Sequence, residues 1–198
     1  EGVTFHDGSA LTAEDVVFTF ETILDPELGA RFRSLFTPIS SIEAVDDLTV
    51  RIELQEPYAP LLSYLDMGIV PSDYVEAGND IGSQPVGTGP LRLASWERGA
   101  RIVLEPFEDH WSGAPDIEAF EFVVVGDNTA RAQAFEAGDL DIIQSPLSPQ
   151  DISRLAENDD YESAIMGGLG ITYLNFNTEA GPIADPAMRR ALAMMVDQ

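Results

Sequence analysis

Apolar and polar positions alternate in two different rhythms along this chain, and the rhythms divide it into elements. Val16, Phe20, Ile23 and Leu24 recur at i, i+4, i+7 and i+8, which predicts a helix with one buried stripe. Thr12 reads as its N-cap, and Asp15 stands three residues on, as in a capping box. Asp25-Pro26 predicts its end, because a residue before proline avoids the α region. Upstream, Val3 to Phe5 reads as a short strand, with His6-Asp7-Gly8-Ser9 as the turn after it. Leu48, Val50, Ile52 and Leu54 alternate with Thr49, Arg51 and Glu53, so residues 39–54 read as a hairpin with one wet face, turning at Asp46-Asp47.

Tyr58 to Met67 then reads as a short helix and Gly68 to Pro71 as an extended exit. Residues 76–85 carry the weakest pattern and form the candidate internal boundary. Leu91 to Leu93 and Arg101 to Leu104 read as paired strands joined around Arg98-Gly99. The run Phe120 to Val125, apolar but for Glu121, reads as a strand buried on both faces. Asp127 or Asn128 caps a helix to Phe135, closed by Gly138. Leu140 to Ile143 reads as a further strand, and Ser148-Pro149 opens another helix with Pro at its favoured first position. Tyr161 to Met166 and Ile171 to Phe176 read as strands around the glycine-rich turn Gly167-Gly168-Leu169-Gly170. Asp185-Pro186 starts a last helix. The alternation of strands and helices predicts a mixed α/β fold.

Composition narrows the function classes. The absence of Cys removes disulfides, a thiol nucleophile and Cys-ligated metals. No apolar run of about 18 residues predicts a membrane span. The chain opens on Glu1 rather than Met and reads as an excised piece of a longer protein. The formal net charge is −25, and every one of the 10 basic residues is Arg. Such a surface repels phosphate backbones, which argues against nucleic-acid binding, and it repels anionic lipid. Either a GC-rich gene on an acid-tolerant exported protein or adaptation to high salt accounts for the acidity. The melting temperature against NaCl separates them. Screening shortens from about 10 Å at 0.1 M to about 3 Å at 1 M salt, so salt adaptation predicts a rising melting temperature, and a flat profile counts against it.

Motifs for chemistry are few. Gly87-Thr88-Gly89-Pro90 lacks the Lys of a phosphate loop and reads as a tight turn feeding a strand. Gly167-Gly168-Leu169-Gly170 has no capped helix after it, so it does not match a dinucleotide fingerprint either. Asp139 and Asp141, two apart on an expected strand, would share a face. They keep a metal-assisted hydrolase, working with a histidine, open as an alternative. His6 and His110 are the only histidines, and neither has partners at a metal-ligand spacing, so no metal site and no cofactor are expected.

Four blocks in order are similar to one family: VTFHDGSALTAEDVVFTF (3–20), IEAVDDLTVRIELQEPYAPLLSYL (42–65), PVGTGPLRLASW (85–96), and ARAQAFEAGDLDII (130–143) followed by YLNFN (173–177) and DPAMRRALAMMVDQ. They resemble the extracytoplasmic solute-binding proteins, family 5, that serve peptide and nickel ABC importers. The resemblance implies a periplasmic-binding-protein-like clamshell with an extra subdomain on its first lobe. On that template residues 1–84 are most of the extra subdomain, 85–170 part of the first-lobe core, and 171–198 the hinge strand and first helix of the second lobe. It also implies no catalysis. A peptide or small organic solute would be captured in the periplasm or outside the cell and passed to ABC permease subunits in the membrane. A sensor that docks to a receptor is the related alternative. Phe32 and the turn Asp66-Met67-Gly68 align roughly with cleft positions of nickel-binding relatives. Where those can use a cationic and indole lining, this chain offers Phe and Met, which favours organic ligands over anionic chelates. Tyr173, Asn175 and Asn177 alternate along the implied hinge strand, where one face would meet a ligand. Gly167, Gly168 and Gly170 would absorb backbone rotation at the hinge.

Overall fold

The computed structural model describes residues 2–144, 146–164, 173 and 175–195. The chain divides into two compact units, Glu1–Leu140 and Asp141–Gln198. The first unit opens with a single bridge between Thr4 and Ala10, so the expected Val3–Phe5 strand is reduced to one paired residue. Helix α1 (Ala13–Leu24) follows as predicted, with Glu14 and Asp15 in its first turn. Two features were not legible in the pattern: the one-turn helix α2 (Arg33–Phe36) and a further short helix at Ser72–Glu76. Strands β1 (Ile39–Asp46) and β2 (Thr49–Leu54) pair antiparallel, with Ile42 opposite Ile52 and Glu43 opposite Arg51. Val50, Ile52 and Leu54 turn towards the core while Leu48, in the tight turn, faces solvent.

The helix expected over residues 58–67 is the single turn α3 (Leu61–Tyr64), and α4 (Ser72–Glu76) comes after an irregular stretch. Pro57 and Pro60 leave little room for a helix to start earlier. The main core lies between these pieces. Phe20 of α1, Phe36 of α2, Ile39 of β1 and Leu61 of α3 are buried together, and Val16, Ile23, Leu24, Met67 and Ile69 pack around them.

The second sheet is β3 (Leu91–Glu97), β4 (Arg101–Pro106) and β5 (Phe120–Val123), antiparallel in that order. Here the strand expected over Phe120–Val125 forms over Phe120–Val123, but its expected burial on both faces fails. Among the described residues β5 is an edge strand paired only to β4, and Phe122 is 53% exposed. The run is interrupted by Glu121, whose carboxylate lies 3.3 Å from the Arg101 guanidinium with both side chains about half exposed, so one face of β5 carries a solvated ion pair. α5 (Asn128–Glu136) closes the unit's helical content, its first turn capped by Asp127, whose carboxylate accepts from the Ala130 N–H.

In the second unit the helix starts were legible. α6 (Pro149–Ala156) is capped by the Ser148 hydroxyl and α7 (Pro186–Ala193) by Asp185. The expected strand at Leu140–Ile143 is absent, as is strand at Tyr161–Ala164 and at residues 173 and 175–176. Strands exist by pairing, and no partner strand for these stretches occurs among the described residues. The rest of the expected strands at 161–166 and 171–176 lies outside the described residues.

Candidate functional site

The best-defined polar arrangement in the first unit grows out of the N-terminus of α1. Asp15 is only 5% exposed, yet it is a carboxylate. Burial raises its pKa; hydrogen bonds from Ser72 and Thr12 outweigh that, and the net result is a carboxyl held below its ordinary value of 3.8. Oδ2 accepts from the Thr12 backbone N–H at 2.9 Å and its hydroxyl at 3.0 Å. Oδ1 accepts from the Ser72 backbone N–H and hydroxyl, both at 2.8 Å. One turn along α1, the Thr19 hydroxyl donates to the Asp15 carbonyl at 2.8 Å and accepts from the Val70 N–H at 3.1 Å. One face of α1 thus grips the chain between Val70 and Ser72.

That grip sets the position of the preceding stretch. Met67 and Ile69 pack against the core cluster, while Asp66 and Gly68 are exposed. The backbone groups of Met67, Gly68 and Ile69 make no hydrogen bond to any described residue. Asp66-Met67-Gly68 follows α3, and Phe32 opens α2 as its N-cap. These two helices pack on one another. Phe32 is 55% exposed although a phenylalanine gains by burial. Phe32 thus stands at the start of α2, and Asp66–Gly68 just beyond the end of α3.

The remaining candidates are in the second unit. Tyr173 is 70% exposed, Asn175 is exposed, and Asn177 Oδ1 accepts from the Glu179 N–H at 3.0 Å. Gly167, Gly168 and Gly170 lie outside the described residues. Asp139 and Asp141 do not share a strand face, because no strand forms there. The Asp139 N–H donates to the Ala134 carbonyl at 2.9 Å as the chain leaves α5.

Neither histidine is hydrogen-bonded to these aspartates. Gly87 N–H donates to His6 Nδ1 at 3.3 Å, which leaves the proton on Nε2, facing the Gly89 carbonyl at 2.9 Å. His6 thereby ties the first turn to the Gly87–Pro90 turn, and its ring stands edge-on to Phe107. His110 bonds within its own turn, to Gly113 and Ser112. Among the described residues no group of three or more His, Asp or Glu could hold a metal ion. An open cleft of about 450 Å3 has His6, Tyr74, Gln84, Arg92 and Glu105 in its lining. Of its charged lining groups, Arg92 Nε lies 2.8 Å from Glu105, and Asp7 Oδ1 accepts from the Ser9 N–H and hydroxyl.

The Asp15–Thr19–Ser72 arrangement was missed in the sequence, where Asp15 looked like an ordinary cap. A signal existed: Asp15 and Thr19 sit at i, i+4 beside the buried stripe Val16–Phe20. Two polar residues there need buried partners.

All 198 residues match the profile described as bacterial extracellular solute-binding proteins, family 5 Middle. The chain belongs to that family. Among curated relatives of this family 5 chain, the glutathione-binding protein GsiB of Pectobacterium atrosepticum is 30% identical over all of the chain and 39% of its own length. The dipeptide-binding protein of Escherichia coli K12 is 28% identical over all of the chain and 42% of its own length. The crystal structure of the binding protein MoaA of A. tumefaciens R10, in complex with mannopinic acid, aligns with TM-score 0.86 and 30% identity, covering 99% of this chain and 41% of MoaA. The expected fold class, mixed α/β of the periplasmic-binding-protein type, is met. The family 5 chain spans about two fifths of the length of these relatives. The two curated relatives are named as binding proteins, and neither name is an enzyme's. No helix among the described residues is long and apolar enough to cross a membrane.

Proposed function

We propose that the complete protein captures peptides, or a related small organic solute, outside the cytoplasm and delivers them unaltered to ABC permease subunits in the membrane. The observation that carries this reading is the stretch Met67–Ile69, whose backbone groups make no hydrogen bond to a described residue while Met67 and Ile69 pack against the core cluster. Ligands with variable side chains are held through backbone hydrogen bonds, with pockets adding selectivity. The glutathione and dipeptide binders among the relatives suit the same ligand class. In this reading Phe32, Asp66, Met67 and Gly68 face the ligand from the extra subdomain, residues 1–84. Tyr173, Asn175 and Asn177 face it from the hinge segment, which follows the first-lobe core, 85–170, and makes up residues 171–198 together with the first helix of the second lobe. Gly167, Gly168 and Gly170 absorb the rotation as the lobes close. Closure is driven by higher affinity for ligand in the closed form, and no cofactor takes part.

Calorimetry with glutathione and with the dipeptide Ala-Phe tests this, on the complete protein and on the 198-residue chain side by side. The complete protein is expected to bind at least one of them, and the chain alone at least about tenfold more weakly, since it offers part of the contact surface. Equal affinity would show that the binding groups are assigned wrongly. Conversion of either probe, seen by mass spectrometry, overturns the reading in favour of an enzyme.

A further inference from the structure

We infer that Asp15 and Thr19 are positioning residues for the ligand-facing turn: neither is placed against ligand, but together they fix where Asp66-Met67-Gly68 stands. This rests on the reading that the turn faces ligand. The argument is one of chain length and anchorage. Thr19 holds the Val70 N–H, and Asp15 holds Ser72 through both its N–H and its hydroxyl. Val70 is two residues from Gly68 and four from Asp66, so the backbone of the turn lies within about 7 to 14 Å of contour from its nearest anchor. On its other side the turn is reached from α3 through Leu65. Met67 and Ile69 fix the stretch laterally by packing on the cluster that contains Phe20, on the neighbouring position of α1.

The same helix therefore anchors the stretch by apolar contact and by hydrogen bonds. The two kinds of anchor do different work. Apolar packing tolerates sliding by a fraction of an ångström, whereas hydrogen bonds weaken steeply with distance and angle. The bonds from Asp15 and Thr19 fix the register of the stretch along α1, and register decides whether the Met67–Ile69 backbone groups meet their partners on a ligand. A small displacement of positioning groups is enough to degrade a site.

Thr19→Val tests this with little change of shape. It removes the hydroxyl that bridges the Asp15 carbonyl and the Val70 N–H, and Thr19→Ser restores that hydroxyl. In the complete protein two readouts are compared. Amide exchange at Val70 is expected to accelerate about five- to tenfold in Thr19→Val and to return in Thr19→Ser. Exchange across the hairpin of β1 and β2 should stay unchanged. The dissociation constant for glutathione or Ala-Phe, whichever the unsubstituted protein binds, should rise about fivefold in Thr19→Val and recover in Thr19→Ser. Ser72→Ala, which removes the second anchor's hydroxyl alone, should shift both readouts in the same direction. Unchanged exchange at Val70 overturns the inference. So does faster exchange with unchanged affinity, provided that Gly68→Val weakens binding. A Cβ on Gly68 meets nothing within 4 Å, so that variant probes ligand contact without straining the fold. If Gly68→Val leaves affinity unchanged as well, the fault lies in the reading of the turn as ligand-facing, not in the anchorage.

Discussion

Replacing Phe36 with alanine is expected to cost the first unit about 4 kcal/mol. Phe36 is 1% exposed and stands edge-on to Phe20, with ring centroids 5.1 Å apart. Three losses add up: the transfer energy of a buried ring, the cavity it leaves, and about 1 kcal/mol for the aromatic pair itself. The cavity would open where α1, α2, α3 and β1 meet, so no single element can relax into it. Denaturant unfolding followed by tryptophan fluorescence measures the effect, because Trp96 and Trp111 both belong to this unit. Phe36→Leu should recover more than half of the loss, since it keeps most of the volume. A cost for Phe36→Ala below about 1 kcal/mol would show that the cluster is not the core. Phe32, four positions earlier, supplies the contrast. It is exposed, so Phe32→Ala should change stability by less than about 0.5 kcal/mol. If both substitutions destabilise alike, Phe32 is a core residue, and its place in the proposed ligand surface is lost.

What the sequence shows and what it hides follow one physical division. Short-range rules held: Thr12, Asp127, Ser148 and Asp185 each stand at the start of a helix, where a polar side chain can meet exposed backbone N–H groups. The period-2 run of β2 also held, because α1 and the core cluster cover one face of the β1–β2 hairpin, where Ile52 and Leu54 pack. Expectations about cover did not hold. The run at Phe120 does form a strand, but Glu121 within it pairs with Arg101 at the surface, and periodicity carries no information about what lies over a face. Leu140–Ile143 fails as a strand-like sequence without a described partner. The candidate site was legible only as a set of types and positions. Its anchorage was hidden, since Asp15 finds Ser72 at a separation of 57 residues and His6 finds Gly89 at 83. No local pattern reports such pairs. They show only as polar residues set against an apolar face, a mismatch that calls for a distant partner.

Asp15 gives the second large effect, and its pH dependence distinguishes the carboxylate from the shape of the side chain. Asp15→Asn keeps the volume but turns one acceptor oxygen into a donor NH2 group facing N–H and O–H donors. Hydrogen bonds to a charged group are worth roughly 1.5–3 kcal/mol each. Losing part of this nearly buried network is expected to cost about 3 kcal/mol near neutral pH. The direction with pH follows from the depressed pKa. Above the ordinary value of 3.8 the carboxylate is ionised in both folded and unfolded chains, and its full stabilisation is present. As pH falls through the lower folded value, the folded carboxylate takes up a proton and the stabilisation disappears. The stability gap between the native chain and Asp15→Asn should therefore be constant from neutral pH down to about 4 and shrink below it. Other carboxylates protonate in both proteins and cancel in the difference, which matters in a chain of formal charge −25. Urea unfolding of the two proteins at matched pH values measures the gap. A gap that stays constant through pH 2.5 would mean that Asp15 acts through packing rather than charge, and the grip of α1 on Val70–Ser72 would then need another cause.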